Sequence, residues 1–460
     1  MFAFKPISFS LVLALAGLAG CASVEVGTGF DEVSGLVTER GSATFGNSEN
    51  PATHAGVDVQ TFSNLNGSIS IDRALHIALT NSPNLQAQYA RLAISRADVL
   101  QAGLVRNPTV DATVGVGITG DPTRFALGAL FPILDLVYRK SRTKAARADF
   151  RATQIEVAES VIGHANEVAG AYLELAQSTA RLKARQDIVD VVQSQLQAIE
   201  RLVASGTIDG SEFAELQVMS SLAEIEHNAE RGERDAARTK LAGLIGTPLE
   251  NELNTNLELE SISNYDTGVE ELSEQAYRQR LDLIRAEQEV KVRKLALERA
   301  DRLFNEDSNE LGLELEDEED ERFLGPSVSV EVPIFDRGEI RRMKAEAELI
   351  EAERRLKALR YSIDTDVQVA YQRVLTRSAT ALAYQNTLVP SVLTRGTLTL
   401  ERFNAGAIDV ADFLESQRAI SNAKLEAIDA AAAYWKARVE LAQAIGGWPS
   451  SLKPEDTRLQ

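Results

Sequence analysis

Two periodicities alternate along this chain. Between Thr109 and Thr119, Val110, Ala112, Val114, Val116 and Ile118 alternate with Asp111, Thr113, Gly115 and Gly117. That period of two predicts a strand with one apolar and one polar face. Gly120-Asp121-Pro122 supplies a turn, and Phe125, Leu127, Ala129 and Phe131 resume the alternation. The pattern then turns helical. Tyr138 to Ala204 contains no proline and only Gly163 and Gly170, which predicts one helix of roughly 100 Å at 1.5 Å per residue. A turn at Gly206 reverses the chain into a helix from about Gly210 to Ile245. Upstream, Ile71-Asp72 opens an apolar pattern through Ala74, Leu75, Ala78 and Leu79, and a second helix follows Asn81-Ser82-Pro83 as far as Gly103.

The whole unit is written twice. Ser205-Gly206-Thr207-Ile208-Asp209-Gly210-Ser211-Glu212-Phe213 matches Ala405-Gly406-Ala407-Ile408-Asp409-Val410-Ala411-Asp412-Phe413 at an offset of 200, and Phe131-Pro132-Ile133-Leu134-Asp135 matches Val332-Pro333-Ile334-Phe335-Asp336 at 201. Leu272 to Leu303 takes the place of the opening helices. Leu311, Leu313 and Leu315 alternate with Glu310, Gly312, Glu314 and Glu316, and Val328, Val330, Val332 and Ile334 alternate with Ser327, Ser329 and Glu331. Ile340 to Asn404 is the second long helix, with a kink expected at Pro390. Leu356, Leu359, Ile363, Val367, Ala370 and Val374 show the 3/4 spacing of a coiled-coil seam. Val410 to Ile445 runs back. The expected organisation is a leader over 1–20, a Gly/Ser/Thr/Asn-rich tether over 21–67, a first repeat over 68–250, a polar linker over 251–267, a second repeat over 268–447 and a tail over 448–460.

Composition narrows the chemistry. The chain has 48 Lys and Arg against 68 Asp and Glu, a net charge of −20, which excludes a general nucleic-acid binder because phosphates need a basic surface. One Cys rules out an internal disulfide, and His54, His76, His164 and His227 lack metal-ligand spacing. No nucleophile–base constellation is present, so no catalytic residue, cofactor or metal is assigned and the chain reads as a non-enzyme. Met219 and Met343 are the only Met after Met1, too few for a thioether relay for soft metals. Gly115-Val116-Gly117-Ile118-Thr119-Gly120 satisfies GxGxxG, but a turn and a strand follow it where a dinucleotide site needs a helix. The acidic run from Glu314 to Glu321 lacks EF-hand order and reads as a solvated loop.

Lys5, the apolar run Leu11 to Ala19 and Leu18-Ala19-Gly20-Cys21 resemble a lipoprotein export signal. The apolar run is too short to span a bilayer. This resemblance implies a lipidated, mature N-terminal Cys21, and Ala22 after it leans towards the outer membrane. Physical reasoning adds a requirement for partners. A four-stranded sheet cannot close, and an open edge is not viable in lipid. Three chains would supply twelve strands, enough for a lumen.

The duplication, the strand pair ahead of each long hairpin, Asn81, Pro83 and Leu85, the Asn107-Pro108 strand start and the Arg402…Gly406…Asp412-Phe413-Leu414…Gln417 turn together resemble the TolC-type outer-membrane efflux proteins, in their lipidated CusC-like branch. The resemblance implies a mainly α fold with a small β part. In it, duplicated helical hairpins form a trimeric α-barrel, and four strands per chain join a 12-stranded outer-membrane β-barrel. It implies a homotrimer held in outer-membrane lipid and extending into the periplasm. It also implies a passive duct for drugs or heavy-metal cations, working with a periplasmic adaptor and an inner-membrane pump. Two other readings stay open, a protein-secretion duct and an adaptor-like structural protein. The resemblance makes the hairpin tips the adaptor contact: Leu202, Val203, Ser205, Gly206, Thr207 and Ile208 in one copy, Phe403, Ala405, Gly406, Ala407 and Ile408 in the other. It places entrance carboxylates at Asp412 and Glu415 and a latching one at Glu212, with Glu215 at the matching offset. Phe403 and Ile408 stand where the family uses polar latches, so an apolar closure by Phe403, Ile408 and Ile208 is expected.

Overall fold

The computed structural model describes residues 26–40, 67–115, 124–204, 210–246, 253–255, 262, 267–301, 309–318, 321–330 and 334–448. Among these the helices are α1 Phe30–Thr38, α2 Ile71–Asn81, α3 Pro83–Ala102, α4 Ile133–Ala204, α5 Gly210–Ile245, α6 Val269–Gln279, α7 Leu281–Ala300, α8 Glu339–Ala383, α9 Val389–Asn404 and α10 Val410–Ala444. The strands are β1 Gly67–Ile69, β2 Thr109–Gly115, β3 Arg124–Phe131, β4 Leu253–Thr255, β5 Asn309–Glu318 and β6 Glu321–Val330.

The chain divides into two compact units. The first takes residues 91–154 and 286–354 together with 1–29, and so holds the four-stranded antiparallel sheet in the order β2-β3-β5-β6. The described residues of the acidic run, 314–318 and 321, are therefore strand rather than loop. Glu314, Glu316 and Glu318 belong to β5 and Glu321 starts β6, because Leu313 and Leu315 keep the period of two through the acids.

In this unit the carboxylate of Asp135, wholly buried, ties the start of α4 to the end of α3. It accepts from the Arg142 guanidinium and from the Arg106 backbone N–H at 3.1 Å, while Arg142 also donates to the Ala102 and Leu104 carbonyls at 3.0 and 2.8 Å. These donations satisfy carbonyls that the end of α3 leaves without helical partners. Burial alone would raise the Asp135 carboxyl. Hydrogen bonds from Arg142 and Arg106, with their charges, outweigh that and hold it below the ordinary carboxylate range.

The second unit takes 30–90, 155–285 and 355–460. Its core is dense in small residues. Along α4, Ile155, Ala158, Val161, Ala165, Val168, Tyr172, Leu175 and Ala176 are buried at 3/4 spacing. On α8 the expected seam is present: Ile363, Val367 and Val374 are wholly buried. Two parallel strands, β1 and β4, pair Gly67–Ile69 with Leu253–Thr255, so a strand lies inside the stretch read as linker. Helix α1, inside the stretch read as tether, buries Val33, Leu36 and Val37, and the Arg40 side chain beyond it donates to the carbonyl of Gln279.

The duplication is visible as repeated close approach. Gly246 (φ +69°) ends α5 against the break between α2 and α3, where a Cβ would lie 2.9 Å from the Asn81 carbonyl oxygen. Gly446 (φ +74°) ends α10 against the break between α6 and α7, where a Cβ would lie 2.8 Å from Arg280 Cα. Only glycine serves at either place.

Candidate functional site

The sheet is the first functional surface. Its register aligns Val110 with Ala129, Leu313 and Pro326, and Ala112 with Leu127, Leu315 and Leu324. Directly paired residues share a face. One face is therefore mostly apolar, with Phe131, Leu311 and Val328 at one end and Val114 and Phe125 at the other, where Asp317 and Arg322 share the face. The opposite face carries Asp111, Thr113, Glu314, Glu316 and Ser327, with Ala126, Leu130 and Phe323 as its exceptions. Among the described residues nothing covers the apolar face: Val110 is 69%, Val328 66% and Leu324 71% exposed. Among the described residues, strands β2 and β6 each have one neighbour.

The second surface is the end of the second hairpin. Helix α9 stops in a Schellman turn: the Gly406 N–H donates to the Phe403 carbonyl and the Ala407 N–H to the Arg402 carbonyl, both at 2.9 Å. Gly406 has φ +68°, and a Cβ there would meet nothing within 4 Å, so the need for glycine is conformational. Asp409 caps α10, its Oδ1 accepting from the Asp412 N–H at 2.8 Å. Asp412 thus sits in the first turn, where the macrodipole favours a carboxylate. Asp412, Glu415 and Glu215 are all exposed.

Beneath these acids lies an apolar cluster built from both hairpins. Val192, Leu216, Met219, Val410, Phe413 and Leu414 are buried, with Val203, Phe213, Phe403 and Ile408 packed round them. The Phe403 ring stacks on Phe413 at 4.9 Å between centroids and 17° between planes. Phe403 and Ile408 thus pack against their own chain's tip core. Ala405, Gly406 and Ala407 are exposed. Leu202 and Glu212 occupy helical positions in α4 and α5. Cys21, Ser205, Gly206, Thr207 and Ile208 lie outside the described residues.

Three contributors escaped the sequence reading. Arg418 approaches Glu215 at 3.9 Å across the two hairpins; its signal was the exchange of Val218 for Arg418 between copies. Asp409 was visible as an acid three residues before Asp412. Further along, Arg181 on α4 donates to Glu230 on α5 at 3.0 Å and to Asp429 on α10 at 2.6 Å, and Gln177 and Lys436 extend the network. No spacing in the sequence announces that meeting of three helices.

Comparison with known proteins agrees with this geometry. The profile of the family "Outer membrane efflux protein" matches residues 74–247 and 307–447. The cobalt-zinc-cadmium resistance protein CzcC of Cupriavidus metallidurans is 22% identical over 367 residues, covering 78% of this chain and 85% of its own. A membrane protein from Pseudomonas aeruginosa superposes with a TM-score of 0.68 at 18% identity, over 91% of this chain and 98% of that one. CusC, studied for transmembrane channel formation, gives 0.69 at 14% identity, over 89% and 99%. The family profile covers most of the chain, which therefore belongs to the outer membrane efflux protein family, with the outer-membrane location that family implies.

Proposed function

We propose, from that membership, that the chain is one protomer of a passive exit duct that carries cations out across the outer membrane. The observation that carries this is the sheet: among the described residues, an apolar face with nothing over it, a polar face opposite and two open edges. In lipid every backbone polar group needs a partner. Three copies would join edge to edge into twelve strands, apolar face to lipid and polar face to a water-filled lumen. Asp111, Glu314 and Glu316 would then line that lumen, and Asp412 and Glu415 its periplasmic mouth, a field that concentrates cations. The name of CzcC supports divalent metal cations as cargo.

In this reading Gly206 and Gly406, with the residues around them, meet a periplasmic adaptor that links the duct to an inner-membrane pump. Phe403, Ile408 and Ile208 close the mouth, Glu212 and Glu215 flank it, and Cys21 carries the lipid anchor. Outer-membrane fractionation with gel migration in mild detergent tests the duct. A heat-labile trimer in the outer-membrane fraction is expected, and recovery as a monomer or outside that membrane would falsify it. In planar bilayers, Asp412→Asn with Glu415→Gln should lower cation selectivity. Growth on cobalt, zinc or cadmium salts by a strain lacking the duct gene, unchanged by restoring it, would remove metal ions as cargo.

A further inference from the structure

Where β3 and β6 give way to helix, the surface changes character. Leu136 and Val137, in the first turns of α4, are 59% and 65% exposed; Phe335 and Ile340, beyond β6, are 100% and 70% exposed. Basic residues follow at once. Residues 136–147 hold Arg139, Lys140, Arg142, Lys144 and Arg147 and no acid, in a chain of net charge −20. Arg142 is taken by Asp135. Lys140 and Lys144 are exposed and make no ion pair among the described residues. They lie four and eight residues after Leu136, on one helical stripe, along an open groove of about 590 Å³. At the matching junction the second copy exposes Arg337 and Lys344 among acids: Glu339 opens α8, and Lys344 approaches Glu348 at 3.9 Å.

An apolar residue at the head of the stripe indicates its surroundings. A water-filled lumen would leave Leu136 and Val137 wet, whereas lipid would not. The ten-residue strands β5 and β6, tilted about 45°, rise about 23 Å, close to the apolar band of about 25 Å. Lys140, about 13 Å of chain beyond β3, then reaches headgroup level by extending its stem along the helix. We propose that this collar binds the phosphates of anionic glycerophospholipids in the periplasmic leaflet. It would thereby fix the depth of the protein in the membrane. The proposal rests on the reading of the sheet as a membrane barrel.

The test uses the full chain, reconstituted in phosphatidylethanolamine vesicles containing either phosphatidylglycerol or phosphatidylcholine, with lipid retained after detergent extraction counted by native mass spectrometry. Wild type should retain phosphatidylglycerol preferentially. Each cation near an anionic surface is worth about a fivefold preference, so Lys140→Gln with Lys144→Gln should cut the enrichment roughly tenfold or more, with trimer yield unchanged. Excess inorganic phosphate should not displace the lipid. Equal enrichment in the variant overturns the collar, as does dissociation of the variant trimer, which would assign the stripe to contacts between copies. Failure of wild type to insert into either vesicle overturns the barrel and the collar together. Insertion as a trimer without lipid preference overturns the collar alone.

Discussion

The two copies of the repeat share an architecture and differ in how it is fastened. At the strand-to-helix junction, Asp135 is buried and held by Arg142 and Arg106, whereas its counterpart Asp336 is exposed and accepts from the Gly338 N–H at 2.8 Å. Along the hairpin, α4 runs unbroken for 72 residues. The second copy breaks at a π-helical segment, Tyr384–Leu388, where the Val389 N–H donates to the Tyr384 carbonyl, just ahead of Pro390. Position 190 in the first copy is Asp. In a regular helix the Pro390 ring would clash with the carbonyl four residues back, and the wider turn relieves this. Packing positions are also exchanged: Leu196 and Ser220 in the first copy answer to Gly396 and Ile420 in the second. A Cβ at Gly396 would lie 2.3 Å from Ile420 Cδ1. After duplication, then, the backbone pattern persisted while latches and size pairs diverged. The first copy carries a buried ionic lock, and the second a helix interrupted just ahead of Pro390.

The largest expected break of this asymmetry is at Asp135. Asp135→Ala leaves the Arg142 guanidinium, 17% exposed, without its carboxylate, and should cost about 3–5 kcal/mol. Asp336→Ala should cost about 1 kcal/mol or less. Thermal unfolding in detergent compares them, and similar losses would refute the contrast. A pH series sharpens it. The folded carboxyl of Asp135 is held below its ordinary range, so its stabilisation is complete above the unfolded value of about 4 and lost as pH falls through the folded value. The Asp135→Ala variant should lack that part of the acid sensitivity.

Next in size is the packing exchange. Gly396→Leu should destabilise by about 1–3 kcal/mol through overpacking against Ile420. Adding Ile420→Ser, which reproduces the first copy's pair, should recover a measurable part in a double-mutant cycle. Strict additivity would mean that the two positions are not coupled. Gly406→Ala should cost about 1 kcal/mol, because only backbone conformation opposes it; a loss as large as that at Asp135 would mean that unseen contacts surround the turn. The smallest effect belongs to Arg418→Val, which copies position 218. Its pair with Glu215 is half exposed on both sides, so stability should change by about 1 kcal/mol or less. In bilayer recordings the variant's unpaired Glu215 should raise cation selectivity slightly, and a fall in selectivity would count against a carboxylate-lined mouth.

Much of this was legible in residues alone. A period of two places alternate side chains on opposite faces whatever surrounds the strand, so Val110, Leu127 and Leu313 announced an apolar face and Asp111 and Glu314 a polar one. The reversal at Gly406 was equally plain, since a Schellman turn needs a residue that tolerates positive φ. The 200-residue offset gave the duplication, and with it two hairpins per chain. Local rules could not reach the rest. Glu314 and Glu316 continue the alternation of Leu313 and Leu315, but charge density alone reads from Glu314 onward as a solvated loop; pairing with β3 and β6 carries the strand on to Glu318. Asp135 and Asp336 stand in matching motifs, and only the packing of α3 against α4 makes one a buried lock and leaves the other in solvent. Arg181, Glu230 and Asp429 are separated by up to 248 residues, and Gly396 and Ile420 sit on different helices. Such partners are chosen by three-dimensional proximity, which no periodicity within a single segment encodes.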